Sequence, residues 1–304
     1  MGEQMPALSS FAVVLNDSAG PDGAPSNIAS EIRTLFGAAG RDVEIVTPRP
    51  GENVTEVARD LATRASVVVA AGGDGTVRSV VAGMIESPAA LGVLPLGTLN
   101  HFAKDLGIPL PLPDAVTVLA EGHMTRVDVG EANGQVFVNN SSIGVYPSVV
   151  EAREALRRQG HAKWKAMAIA TLRVLTRHPE VTVRMEIDGH VRTRRTPFIF
   201  VGNNEYAIEG LRLGGRQTLD GGRLFVYLSP HVRTRELPLL AVKALAGRAT
   251  ESGAFEIVAA TDLRIETFSR RGVKVAFDGE VVTIRPPLHY RISPGALRVI
   301  VPRR

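Results

Sequence analysis

Three glycines enclose a single carboxylate in Gly72-Gly73-Asp74-Gly75-Thr76, where one apolar run ends and another apolar pattern begins. Glycines at such a junction let the backbone turn tightly and aim N–H groups into a cavity. The start of a following helix adds its own unpaired N–H groups and the positive end of its dipole. This is phosphate-binding chemistry, yet the spacing fits neither the dinucleotide fingerprint G-x-G-x-x-G nor the P-loop G-x-x-x-x-G-K-[ST]. Asp74 repels phosphate unless a divalent cation or an ordered set of donors stands between them; the plain structural alternative is an Asx-type turn. A second polar group, Gly97-Thr98-Leu99-Asn100-His101, follows the next apolar run. Its hydroxyl and amide groups leave from the same sheet edge as the glycines, the edge at which open α/β sheets bind ligands. Far along the chain, Asp278-Gly279-Glu280 sets two carboxylates between residues 273–277 and 281–284. In isolation that Asp-Gly pair reads as a hairpin turn, just as Asp220-Gly221-Gly222 reads as a polar turn.

Such groups need a frame to hold them. Residues 11–15 form a short apolar strand, Ile32, Leu35 and Phe36 give residues 28–39 a helical stripe, and Gly40 stops it. A strand at 43–46 precedes a helix with Val54, Val57, Ala58 and Leu61 on its inner face. The strand at 66–71 is apolar on both faces, as in a parallel sheet covered by helices. A helix from Gly75 to about Met84 and a strand at 91–94 complete the repetition, which predicts a doubly wound, Rossmann-like α/β domain over 1–125. The period then changes. Val181, Val183, Met185 and Ile187 alternate with polar residues, as do the stretches around 255–257, 265–267 and 273–277. Period-two runs between turn residues predict a mainly antiparallel β-sandwich domain over 126–289. Residues 297–301 are a last strand, and the segment 290–304 can return to complete the first domain. Residues 149–177 are expected to form one long helix with Arg153, Arg157, Arg158, Lys163 and Lys165 on it.

The bulk properties exclude several functions. The 304 residues carry 35 basic and 31 acidic side chains, a net charge of +4, with aromatics at only 5%. That balance, with no zinc-finger spacing and no basic tract, argues against nucleic acid as a partner. The absence of cysteine excludes disulfides, thiolate nucleophiles and cysteine zinc sites, and is compatible with the cytoplasm. No apolar run approaches 18 residues, and the first residues lack a signal-peptide pattern, so a cytoplasmic protein is expected.

The ordered set GGDGT (72–76), PLGTLNHFAKDLGIP (95–109), RVDVGEANGQVFVNNSSIGVYPSVV (126–150), GHAKWK (160–165), FIFVGNN (198–204), RQTLDGGRLFVYL (216–228) and FDGE (277–280) resembles the diacylglycerol-kinase-type catalytic domain. That family includes bacterial lipid kinases and sphingosine kinases and is distantly related to NAD kinases and phosphofructokinases. The resemblance covers nearly the whole chain and implies an ATP- and Mg²⁺-dependent kinase that phosphorylates a lipid alcohol, with diacylglycerol as the default acceptor and phosphatidic acid as its product. It assigns Gly72, Gly73 and Gly75 to the nucleotide phosphate loop, with Thr76 and Gly97 beside them. Asp74 would help position Mg²⁺–ATP, with Thr98 and Asp128 in the same polar network and Asn100 a further contact. Asn16 stands where the family opens a second nucleotide loop, although the family's proline is absent from NDSAG. Thr47 is a contact to the adenine side. His101 replaces the Asp that often follows Asn in the family pattern.

In that family context Asp278 is the base that takes the proton of the attacking hydroxyl, and Glu280 supports it or binds metal. A cleft between the two domains would align the reactants and exclude water. Asp220, with the backbone carbonyls of Gln217 and Gly222, would hold a structural Mg²⁺. The basic residues at 153–165 suit transient contact with an anionic inner-membrane surface, and a homodimer is compatible with the sequence. Two alternatives remain: an NAD-kinase-like enzyme with a small dissolved substrate, and a catalytically silent lipid-binding protein.

Overall fold

The structure, a computed structural model, describes residues 10–16, 27–144, 181–209, 212–228, 256–267 and 272–303. The helix expected at 149–177, with its basic residues, lies outside the described residues. The chain divides into two units, Met1–Val129 with Pro294–Arg304, and Gly130–Ser293.

The first unit alternates strand and helix: β1 (Phe11–Leu15), α1 (Ile28–Ala38), β2 (Val43–Val46), α2 (Val54–Arg64), β3 (Val67–Gly72), α3 (Asp74–Met84) and β4 (Ala90–Pro95). Two helices absent from the sequence reading follow, α4 (His101–Asp105) and α5 (Leu112–Glu121), before β5 (His123–Ala132) leads out of the unit. The sheet order is β2-β1-β3-β4, all parallel, with Phe11 opposite both Val43 and Val67, and Val67 opposite Ala90. Every residue of β1, β3 and β4 is buried, because helices cover both faces. Phe36 on α1 packs edge-on against Phe11 with ring centroids 5.3 Å apart. Asn53 caps α2 by accepting the Thr55 N–H at 3.0 Å, which satisfies one of the helix's orphan donors. Gly40 adopts φ +68 immediately after α1, a left-handed conformation that stops the helix at low steric cost.

The second unit is antiparallel. Its strands are β6 (Gln135–Phe137), β7 (Asn140–Gly144), β8 (Val181–Ile187), β9 (His190–Thr196), β10 (Phe198–Asn203), β11 (Tyr206–Glu209), β12 (Arg212–Arg216), β13 (Leu224–Leu228), β14 (Glu256–Ala260), β15 (Asp262–Thr267), β16 (Val273–Phe277), β17 (Glu280–Ile284) and β18 (Leu288–Val301). One sheet runs β14-β13-β10-β7-β16-β17; facing it, β15 pairs with both β8 and β18, and β8 with β9. The alternation at Val183, Met185 and Ile187 points inward, as their period predicts, into a core with Phe137, Phe277, Ile143, Leu263 and Tyr290. Tyr290 is fully buried; loss of solvent pushes its phenol well above the usual range, and its hydroxyl pairs with Ser141 Oγ at 3.0 Å. The far end of β18 belongs to the first unit, where Val299 pairs in parallel with Leu91 on β4.

Three two-residue hairpins of this unit share one device. Asn133-Gly134, Asp188-Gly189 and Asp278-Gly279 all have positive φ at both positions, the type I′ geometry that matches strand twist. In each, the first side chain accepts backbone N–H groups from another segment: Asn133 from His289 at 2.7 Å, Asp188 from Thr261 and Asp262 at 3.0 Å each, and Asp278 from residues 138–140. The Asp262 N–H, foremost among these donors, holds the Asp188 carboxyl below its ordinary range.

The edge strands of the two sheets are joined by charge. Glu256 on β14 accepts from Arg194 at 3.0 Å and from Arg192 at 3.3 Å, both on β9. The Arg194 hydrogen bond holds the Glu256 carboxyl below its usual value. A depressed folded-state carboxylate stabilises the fold above the unfolded pKa, and that contribution is lost as pH falls through the folded value. Thermal unfolding followed from pH 6 down to about pH 3.5 is therefore expected to show a steeper loss of Tm in the wild type than in Glu256→Gln. Identical slopes would show that this pair contributes nothing.

Candidate active site

The parallel register puts Leu15 opposite Ala71 and Gly72 opposite Pro95. Asn16, Gly73 and Leu96 consequently leave from one sheet edge, at the carboxyl ends of the strands. The chain turns to opposite sides from β1 toward β2 and toward β3, so this edge holds the topological switch point where such sheets form a ligand crevice. Asn16 Nδ2 donates to Thr76 Oγ1 at 3.0 Å, tying the end of β1 to the start of α3. The glycine loop also meets the next loop backbone to backbone. A Cβ on Gly97 would lie 2.4 Å from Gly73 Cα and 2.7 Å from Asn100 Oδ1, and a Cβ on Gly72 would lie 2.5 Å from Thr76 Oγ1. Glycine at 72 and 97 is thus a packing requirement. Gly73 caps α3 in an extended conformation, and the first turn of this eleven-residue helix begins at this edge.

Asp74 is explained by what it faces. Its two oxygens accept the backbone N–H groups of His101, at 3.2 Å, and Phe102, at 3.1 Å. The carboxylate thus caps the first turn of α4 and faces an ordered donor pair within its own unit. Asn100 differs from the sequence expectation of a group extended toward nucleotide. It is buried, sits at φ +50, and spends its amide on the loop: Oδ1 accepts the Gly97 N–H at 3.0 Å, while Nδ2 donates to the carbonyls of Pro95 at 3.1 Å and Gly97 at 2.8 Å. A single Asn thereby sets the shape of the turn presenting Thr98, which is exposed, as is Thr47 after β2. Asp128 is buried and accepts the Gly295 N–H at 2.8 Å.

On the second unit, Asp278 stands in one of the type I′ turns. Its Oδ2 accepts the Val138 N–H at 2.8 Å, its Oδ1 those of Asn139 and Asn140 at 2.8 and 2.9 Å, and its own N–H donates to the Asn140 carbonyl at 2.9 Å. Glu280, two residues on, opens β17 with an exposed side chain. Three residues without an assigned role in the sequence reading stand beside this cradle. Asn203 Nδ2 donates to the Val138 carbonyl at 2.9 Å, and the buried Arg216 reaches the same carbonyl and the Asn139 side chain, with Tyr206 under its guanidinium. Asn203 and Arg216 lie in stretches that carry the family resemblance and Tyr206 does not, and only the tertiary fold brings the three together.

Gln217 and Asp220 are exposed, and Gly222 has φ +67 in the bend between β12 and β13. One carboxylate and two backbone carbonyls would make an all-oxygen donor set, of a chemistry that suits a hard divalent cation. Among the described residues no cluster of three His, Cys, Asp or Glu side chains could hold a metal, and no helix is long and apolar enough to cross a membrane.

Residues 10–132 match the model of the diacylglycerol kinase catalytic domain, and residues 139–301 match that of the YegS C-terminal NAD kinase beta sandwich-like domain. A diacylglycerol kinase of Staphylococcus saprophyticus is 29% identical over 236 residues, covering 77% of this chain and 76% of that protein. One from Staphylococcus aureus is 27% identical over 273 residues, or 86% of each. A crystal structure of a diacylglycerol kinase from Bacillus anthracis superposes with a TM-score of 0.71 over 98% of both chains at 22% identity, a likeness of fold.

Proposed function

Because the chain belongs to the diacylglycerol kinase family and is a kinase, we propose that it transfers the γ-phosphate of ATP to the hydroxyl of a lipid alcohol, with diacylglycerol giving phosphatidic acid as the first candidate. The observation that carries this reading is the glycine loop at the switch point, where Gly73 and Gly97 pack backbone to backbone beneath the N-terminus of α3. Phosphoryl transfer asks the protein for alignment and electrostatic stabilisation more than for covalent chemistry. Backbone N–H groups of Gly73, Asp74 and Gly75 meet the phosphates; Asn16 and Thr76 hold the loop; Thr98 and Thr47 supply contacts to the rest of the nucleotide. Mg²⁺ bound with ATP would neutralise charge on the transferred group. A second cation on Asp220 and the carbonyls of Gln217 and Gly222 would stiffen the β12–β13 connection.

The Asp278–Gly279–Glu280 turn supplies the base, with the roles of its carboxylates reversed from the sequence reading. Taking up a proton at Asp278 would neutralise the acceptor of three backbone N–H groups. Asn133 and Asp188 do the same anchoring work in their own turns. Glu280 is the exposed carboxylate of the motif and is assigned proton acceptance.

The test is label transfer from γ-labelled ATP and Mg²⁺ into mixed micelles of diacylglycerol, a sphingoid base, monoacylglycerol or a polyisoprenol, with free NAD as a parallel acceptor. Label in a lipid is expected. Label in NAD alone, or in nothing, overturns the proposal.

A further inference from the structure

Among the described residues Arg216 is one of the few buried charged ones, 7% exposed at the end of β12. Its Nη1 donates to the Val138 carbonyl at 2.6 Å and the Asn203 carbonyl at 3.0 Å, and its Nη2 to Asn139 Oδ1 at 2.9 Å. The Val138 carbonyl and the Asn139 N–H belong to one peptide group. Arg216 therefore donates to the oxygen of the same peptide whose N–H binds Asp278 Oδ1. Drawing electron density onto that oxygen makes the N–H a stronger donor, the cooperative effect expected of a hydrogen-bond chain in a low-dielectric interior. Asn203 Nδ2 donates to the same oxygen and adds to the polarisation. A planar fork is the side chain suited to gripping two backbone carbonyls and an amide oxygen together; a lysine at this position is a point donor on a flexible stem.

We infer that Arg216 is a positioning residue for the Asp278–Gly279–Glu280 turn, acting through the Val138–Asn139 peptide rather than on substrate. The inference rests on the proposed role of that turn as the source of the base. Arg216 fixes the 138–140 cradle, the cradle fixes Asp278, and the paired ends Phe277 and Glu280 of β16 and β17 carry that fixity to the exposed carboxylate. The rest of the stretch RQTLDGG is assigned above to the proposed cation at Gln217, Asp220 and Gly222. Arg216 has no part in that donor set and points its guanidinium into the cradle instead.

Amide hydrogen exchange on the intact chain tests this independently of activity. In Arg216→Lys, the amides of Val138, Asn139 and Asn140 are expected to exchange at least about tenfold faster, while those of β3 and β4 are unchanged. In lipid phosphorylation the same variant is expected to lose about 10–100-fold in kcat with KM for ATP within about twofold of wild type. Combined with Asp278→Asn it should fall no further than the worse single variant, because the two act in one chain. If Arg216→Lys does not fold, Asn139→Ala leaves the two backbone contacts of Arg216 in place and is expected to show a smaller change in the same exchange and kcat readings. Wild-type exchange at 138–140 in a folded variant overturns the inference, as does a kcat loss that multiplies with that of Asp278→Asn. A wild type that phosphorylates no lipid, with exchange still altered in the variant, defeats the kinase reading and leaves the anchoring intact.

Discussion

Glu280→Gln lowers the turnover of phosphate transfer about 10²–10⁴-fold, the range a positioned general base contributes, while ATP affinity and Tm remain near wild type. The substitution is isosteric at an exposed position, and it removes the negative charge and with it the capacity to accept a proton. Asp278→Asn has a different signature. Whichever way the new amide is turned, its NH₂ faces at least one of the N–H groups of Val138, Asn139 and Asn140, donor against donor. An unsatisfied buried donor costs about 1–3 kcal/mol, and about 2–4 °C of Tm accompanies each of those kcal/mol in a domain of this size. Reduced turnover should therefore come with reduced stability in Asp278→Asn and without it in Glu280→Gln. Label transfer and thermal unfolding of the two purified variants read both quantities. A fully stable but inactive Asp278→Asn, next to an active Glu280→Gln, would return the base to Asp278.

The second large effect is expected at Gly97. The added methyl of Gly97→Ala would stand 2.4 Å from Gly73 Cα and 3.1 Å from Gly73 N, against backbone that cannot rotate away. The two loops must separate, at a cost of about 1–3 kcal/mol for overpacking, and the N–H groups that would meet phosphate move with them. ATP affinity, measured by calorimetry, is expected to fall at least about tenfold, or ~1.4 kcal/mol. Gly37→Ala is the matched control: it sits in α1 with open space around its Cα, and it should leave ATP binding unchanged. Unchanged affinity in Gly97→Ala would separate the glycine loops from nucleotide binding.

The parallel half of the fold was legible because its signals are local. Buried strands at β1, β3 and β4 are continuous apolar runs, and Ile32 and Phe36 mark the inner face of α1 by spacing alone. The helix α4 escaped notice because it is five residues long and its first N–H groups are capped by a residue 27 positions earlier, Asp74. The same distance hid the use of Asp74 itself: periodicity places a carboxylate in a loop but cannot say which donors it meets. Asn100 has a use that spacing does not show. A polar residue at a ligand-binding edge looks available, yet a left-handed backbone and three inward hydrogen bonds commit it to the loop. At Asp278 both readings of the sequence meet, since the hairpin turn is present in full and the family motif occupies it.

The pairing of Val299 with Leu91 has a consequence for synthesis of the chain. The two residues are 208 positions apart (299 − 91), which at about 5–20 residues per second leaves about 10–40 s between their emergence. Through that interval β4 lacks its outer neighbour, and a fully buried, strongly apolar strand presents a bare row of N–H and C=O groups. The nascent protein thus carries an adhesive margin while the entire second unit is being made. Yield in a producing cell should consequently depend on how quickly ribosomes traverse residues 130–293 and on chaperone capacity, even where the finished fold is stable.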